Sequence, residues 1–80
     1  MKKKIAILGS TGSIGKSLID IIKKDKKNFE IVLLSANTNL NELIKQVKLF
    51  TVRNIVVTDY KSYIKAKKIF KKLNINIYND

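Results

Sequence analysis

The sequence predicts an α/β fold in which strands and helices alternate, β-α-β-α-β-α-β, around one parallel sheet. Three observations carry that prediction. Short apolar runs rich in β-branched residues occur at Ile5–Leu8, Phe29–Ser35 and Asn54–Thr58. Apolar stripes with the period of a helix lie between them. A glycine-spaced stretch, Gly9-Ser10-Thr11-Gly12-Ser13-Ile14-Gly15, joins the first run to the first stripe.

The first strand is predicted over Lys4 to Leu8. The first helix follows over Ser13 to Lys24, with Ile14, Leu18, Ile21 and Ile22 at helical spacing. Asp25-Lys26-Lys27-Asn28 reads as a polar turn. The second strand spans Phe29 to Ser35, and Ala36-Asn37-Thr38-Asn39 is the loop at its C-terminal end. Asn39 is placed to N-cap the second helix, with Glu42 three residues on as in a capping box. That helix runs to Phe50 and turns Leu40, Leu43, Ile44, Val47 and Phe50 inward. The third strand is Asn54 to Thr58. The third helix is Lys61 to Leu73, with Tyr63, Ala66, Ile69, Phe70 and Leu73 inward. The alternating Ile75-Asn76-Ile77-Tyr78 is a fourth strand. Parallel strands joined by right-handed crossovers make the first half of a doubly wound, Rossmann-like sheet. A full domain of that kind has a second half. Residues 1–80 are therefore expected to be the N-terminal part of an NAD(P)-binding domain, with catalytic and C-terminal domains outside this chain.

The glycine stretch is where such a fold holds a dinucleotide's diphosphate. The first N–H groups of a helix have no intrahelical partner and attract an anion, helped by the helix dipole. Gly9 is expected to give a tight turn, Gly12 to let the diphosphate approach the backbone, and Gly15 to let helix and strand pack closely. The spacing is G-x-x-G-x-x-G, a variant of the usual fingerprint, and its position between strand and helix gives it meaning.

Composition narrows the chemistry. The chain has no cysteine and no histidine. It therefore has no disulfide, no thiolate metal site and none of the commonest general base. Its six carboxylates show no ligand-like cluster, so no catalytic or metal-binding residue is assigned. The net charge is +11, but the lysines spread over all the predicted helices and Arg53 is the single arginine. Aromatic and basic residues do not interleave as stacking platforms require. We expect solvated lysine faces rather than a nucleic-acid or membrane footprint. The apolar run after Met1-Lys2-Lys3-Lys4 is too short for a signal core, which points to a cytoplasmic protein.

NAD-binding versions of this fold carry an acid about 20 residues past the glycines, on the ribose hydroxyls. Here Ser35 to Asn37 occupy that position, and Glu30 lies at the other end of the strand. An acid would repel a 2′-phosphate, so its absence favours NADP. Ser35, Asn37, Thr38 and Asn39 are the available donors.

The run Ile5 to Gly15 resembles the N-terminus of the 1-deoxy-D-xylulose 5-phosphate reductoisomerase family. The resemblance continues through Leu18 to Ile22, Phe29 to Ala36 and Ile55 to Asp59. It implies an NADPH-dependent oxidoreductase of non-mevalonate isoprenoid biosynthesis. Such enzymes convert 1-deoxy-D-xylulose 5-phosphate to 2-C-methyl-D-erythritol 4-phosphate with magnesium or manganese. By position it implies Thr11, Gly12, Ser13 and Ile14 in one cofactor loop and Asn37, Thr38 and Asn39 in a second. Many members have a basic triplet in the second loop, and this chain does not. Lys26 stands where a proline is common, a difference expected to matter only for the turn. The resemblance also implies a homodimer, with metal and sugar-phosphate sites outside this stretch, which alone is expected to be inactive. The alternatives are another NADP-dependent oxidoreductase, such as a semialdehyde dehydrogenase, or a non-catalytic nucleotide- or polyanion-binding module.

Overall fold

The computed structural model describes residues 2–79, so Met1 and Asp80 lie outside the described residues. The elements are β1 Lys3–Ile7, α1 Ser13–Lys23, β2 Phe29–Ala36, α2 Leu40–Phe50, β3 Asn54–Val57, α3 Tyr60–Ile69 and β4 Asn76–Tyr78. Every predicted element is present, with ends shifted by a residue or two except in α3. The four strands form one sheet in the order β1-β2-β3-β4, all parallel. Each crossover therefore steps in the same direction, and right-handed crossovers place all three helices on one face.

A row of apolar side chains runs across that covered face: Ile7 beside Leu34, Leu34 beside Ile55, Ile55 beside Ile77. Leu34 and Ile55 are fully buried there, with Leu43 and Val47 from α2 and Ala66 and Phe70 in the same core. The other face is more open. Ala6 and Tyr78 are exposed, and Leu33 and Val56 only half-buried. Among the described residues no helix is long and apolar enough to cross a membrane.

A bulge lies between β1 and β2. Ile5 pairs with Ile31 but Ala6 pairs with Leu33, so Val32 is the extra residue. Its carbonyl is taken up by the Asn54 side-chain amide at 3.2 Å. The bulge lets Ile31 and Leu34, three residues apart, face the core together.

Two helices turn differently from the predicted stripes. In α1 the buried positions are Gly15, Ile19 and Ile22, while Ile14, Leu18 and Ile21 are exposed. Gly15 decides this. A Cβ there would lie 2.3 Å from the Gly9 carbonyl oxygen and 2.6 Å from Ser10 Cα. The helix thus sits with Gly15, and the residues four and seven beyond it, against the sheet. In α3 the buried line is Ser62, Ala66 and Phe70, spaced by four. Ile69 and Leu73 fall off it and are about half exposed. That helix ends at Ile69, with Phe70 as C-cap. Lys26 does more than shape a turn. Its ammonium donates to the Leu49 carbonyl at 3.0 Å, closing the C-terminal end of α2, and lies 5.6 Å from the Phe50 ring centroid.

Asp59 caps α3. Its Oδ2 accepts from the Ser62 hydroxyl at 2.8 Å and from the Ser62 N–H at 3.0 Å. These two bonds hold its carboxyl below the usual range, the hydroxyl contributing more. A depressed folded pKa gives stability that is present above the unfolded value and lost as pH falls through the folded one. Asp59→Ala should therefore melt below wild type at neutral pH, with the gap narrowing in strong acid. Asp59→Asn should keep most of the cap at neutral pH. Thermal melts followed by circular dichroism at the two pH values check both. Gly15→Ala should destabilise by about 3 kcal/mol or more, because backbone atoms, not a flexible side chain, meet the added methyl. A denaturant titration showing a loss under about 1 kcal/mol would contradict the close packing of α1.

Candidate functional site

The glycine turn leaves β1 at the C-terminal edge of the sheet. Gly9 has φ +67°, a left-handed conformation that glycine adopts freely. The Gly12 N–H closes the turn on the Gly9 carbonyl at 3.1 Å. Ser35, at the end of β2, braces it. The Gly9 N–H donates to Ser35 Oγ at 2.7 Å, and the Ser10 N–H and hydroxyl both donate to the Ser35 carbonyl, at 2.9 and 3.2 Å. Ser35 was expected to offer a hydroxyl to the ribose. Instead it is buried and its oxygen is already occupied inside the protein. The two loops are thus tied through one residue.

At the start of α1 the three helices differ. Asn39 Oδ1 accepts from the Glu42 N–H to cap α2, and Asp59 caps α3. The N-cap of α1 is Gly12, with no side-chain cap and no acid in the first turn. The first-turn N–H groups are therefore open to an external acceptor. Gly12 itself has an ordinary extended backbone, φ −78° and ψ 174°. A Cβ on it would meet only the Gly9 carbonyl oxygen, at an unstrained 3.5 Å. Neither conformation nor internal packing demands glycine at this position, and the space in front of it is open. Ser13 is exposed beside it, Thr11 is half-buried, and Leu8 and Ile14 stand 74% and 79% exposed at the margin.

The second loop lies at the same edge of the sheet. Asn37, Thr38 and Asn39 are all exposed. Asn37 Oδ1 accepts from the Thr58 hydroxyl at 2.9 Å, and Asn39 Oδ1 accepts from the Glu42 N–H at 3.3 Å. Each amide is oriented by its oxygen, which leaves both NH2 groups and the Thr38 hydroxyl as donors. The end of β2 carries no acid, and Glu30 is exposed at the opposite end, beside Lys4.

A cavity of about 300 Å³ opens next to this loop, lined by Thr38, Asn39, Asn41, Ser62 and Lys65 among others. Lys65 comes from α3 and puts a cation beside the loop that lacks one in sequence. Sequence reasoning missed it because only the parallel order of β2 and β3 brings the two helix starts together. A second concavity, about 330 Å³, lies against Val47, Val52, Leu73 and Ile75, which belong to the end of α2 and the segments leading into β3 and β4. Among the described residues no three His, Cys, Asp or Glu side chains gather as metal ligands. Asp59 is engaged as a helix cap.

Known proteins match nearly all of this chain in sequence and fold. The family model of 1-deoxy-D-xylulose 5-phosphate reductoisomerase matches residues 5–80. The reductoisomerase of Pelagibacter ubique is 56% identical over 78 residues, covering 98% of this chain and 20% of that protein. The Clostridium kluyveri enzyme is 39% identical over 74 residues, covering 92% and 19%. The Zymomonas mobilis reductoisomerase, solved in complex with NADPH, superposes with a TM-score of 0.90 at 25% identity, over 99% of this chain and 21% of that one. A reductoisomerase solved with NADPH, fosmidomycin and magnesium gives the same TM-score and identity over 98% and 19%. This chain spans about a fifth of the length of these relatives. With the glycine turn, the parallel sheet and 76 consecutive residues matched by one family model, residues 5–80, the chain belongs to the 1-deoxy-D-xylulose 5-phosphate reductoisomerase family.

Proposed function

We propose that this chain is the NADPH-holding part of a 1-deoxy-D-xylulose 5-phosphate reductoisomerase. The observation that carries the reading is Gly12, a glycine that nothing among the described residues requires, at the one described helix start of the three that no side chain caps. A diphosphate supplies the missing reason. Its oxygens accept from the first-turn N–H groups of α1, and a Cβ at Gly12 would occupy the space they need. Thr11, Gly12, Ser13 and Ile14 make up this first loop.

Asn37, Thr38 and Asn39 make up the second, around the phosphorylated ribose. Their donors suit a 2′-phosphate, and no carboxylate opposes it. Lys65 adds positive potential at the same cavity. NADPH supplies the hydride when bound. The residues here hold its phosphates and fix where the dinucleotide lies.

The relatives are about five times as long, and we assign the remaining work to segments beyond these residues. Those are the divalent metal, the sugar phosphate, its rearrangement and reduction to 2-C-methyl-D-erythritol 4-phosphate, and the homodimer contact. The open sheet face with Leu33, Val56 and Tyr78, and the exposed stripe Ile14, Leu18 and Ile21 on α1, are where we place the second half of the domain. The protein is read as cytoplasmic, with its lysines as solvated faces and no nucleic acid as partner.

Two outcomes are expected of the full-length protein. It should bind NADPH at least about tenfold tighter than NADH at one salt concentration, a difference of about 1.4 kcal/mol. Lys65→Met should narrow that ratio by weakening NADPH alone. Titration calorimetry with both nucleotides checks this, and equal affinities in wild type would remove the assignment of the second loop. Gly12→Val should melt within a few degrees of wild type yet weaken NADPH on the order of a thousandfold. A folded Gly12→Val protein with normal NADPH affinity would show that the diphosphate lies elsewhere.

A further inference from the structure

The core of α2 contains one residue that does not belong to an apolar stripe. Gln46 is 1% exposed, packed at the level where Leu43 and Val47 are buried. Its Nε2 donates to the Ser10 carbonyl at 2.9 Å and to Glu42 Oε2 at 3.3 Å. Its Oε1 is buried with no hydrogen-bond partner. A buried carbonyl oxygen without a donor is costly, and an apolar side chain of similar volume would fill the same space without that cost. Filling space therefore does not account for an amide at this position. What the amide provides, and methionine or leucine would not, is the bond to Ser10.

That bond falls on the glycine turn itself. In a planar trans peptide the C=O and the following N–H point in opposite directions. Gln46 draws the Ser10 carbonyl down into the core, and the Thr11 N–H is thereby turned the other way, out of the core. Ser10 is also held from the strand side, by its N–H and hydroxyl on Ser35. Ser10 is thus held from two elements: β2 takes the N–H of the Gly9–Ser10 peptide and the side-chain hydroxyl, and α2 takes the carbonyl of the Ser10–Thr11 peptide. The clamp also continues along α2: Glu42, which accepts from Gln46, has its own N–H on Asn39 of the second loop.

We propose that Gln46 is a positioning residue for the cofactor, fixing the Ser10–Thr11 peptide so that the Thr11 N–H is presented to the diphosphate. The proposal rests on the NADPH reading above. Gln46 touches neither substrate nor cofactor; it acts through the backbone it holds.

The test uses the full-length protein and two variants, Gln46→Met, which keeps the volume and loses the donor, and Gln46→Glu, which keeps the shape and, when ionised, opposes the Ser10 carbonyl. Both should raise the NADPH Kd and the KM for NADPH, the Met variant about tenfold and the Glu variant more. At saturating NADPH, kcat and the KM for the sugar phosphate should stay near wild type, since cofactor binding rather than the chemical step is affected. In 31P spectra of the bound nucleotide the diphosphate resonances should move and the 2′-phosphate resonance should not. A purely structural glutamine would lower the melting temperature while leaving the Kd and these resonances unchanged, and that result overturns the proposal. So does a fall in kcat with unchanged NADPH affinity. If Gln46→Met does not accumulate as folded protein, Gln46→Glu gives the same readouts and decides alone. Wild-type protein that binds no NADPH refutes the functional reading first and this proposal with it. Wild-type binding with indifferent variants refutes only this proposal.

Discussion

At Gly15 the backbone of α1 lies so close to Gly9 and Ser10 that no side chain fits between them. Much of the molecule follows from that approach. It sets the rotation of α1, so that Ile19 and Ile22 reach the core and Ile14, Leu18 and Ile21 do not. It brings the start of the helix over the turn that leaves β1, where uncapped N–H groups and the open space at Gly12 coincide. It also presses Ser10 down against Ser35 and Gln46, which hold its N–H, hydroxyl and carbonyl. The three glycines of one motif thus differ in kind: backbone conformation calls for Gly9, contact between elements calls for Gly15, and Gly12 faces open space.

The order and type of all seven elements were legible in the sequence because strands and helices here differ in period and are separated by polar turns. The glycine turn was legible because positions such as Gly9 and Gly15 need a missing side chain, which a sequence records directly. The helix cap at Asn39 was legible for a similar reason, since the donor it satisfies lies three residues away. What stayed hidden depends on neighbours distant in sequence. The apolar residues of α1 form more than one stripe, and only the contact at Gly15 selects among them. The bulge at Val32 leaves no mark in a run of apolar residues, all of which suit a strand. Ser35 reads as an available hydroxyl until Gly9 is seen to donate to it. Lys26 reads as part of a polar turn until the end of α2 arrives above it.

Polar groups buried beneath the glycine turn separate this region from the rest of the core. Ser10, Ser35 and Gln46 are buried there, whereas the row Ile7, Leu34, Ile55 and Ile77 is wholly apolar. Apolar burial is non-directional, while a hydrogen bond fixes the orientation of the peptide that makes it. The placement of the polar set agrees with the demand on each part. The sheet must be stable, and the proposed cofactor site needs a turn that holds its N–H groups in fixed directions.

The strand order has a consequence for how the protein is made. Each strand pairs with the one synthesised just before it, so β1, α1 and β2 form a closed unit before α2 has emerged. Growth by such local additions keeps loop-closure entropy low and favours folding during synthesis. The bond from Gln46 to Ser10 breaks that pattern, since it reaches back 36 residues. The glycine turn therefore acquires its final support only when α2 docks, and a nascent chain shorter than that would carry the motif without its finished shape.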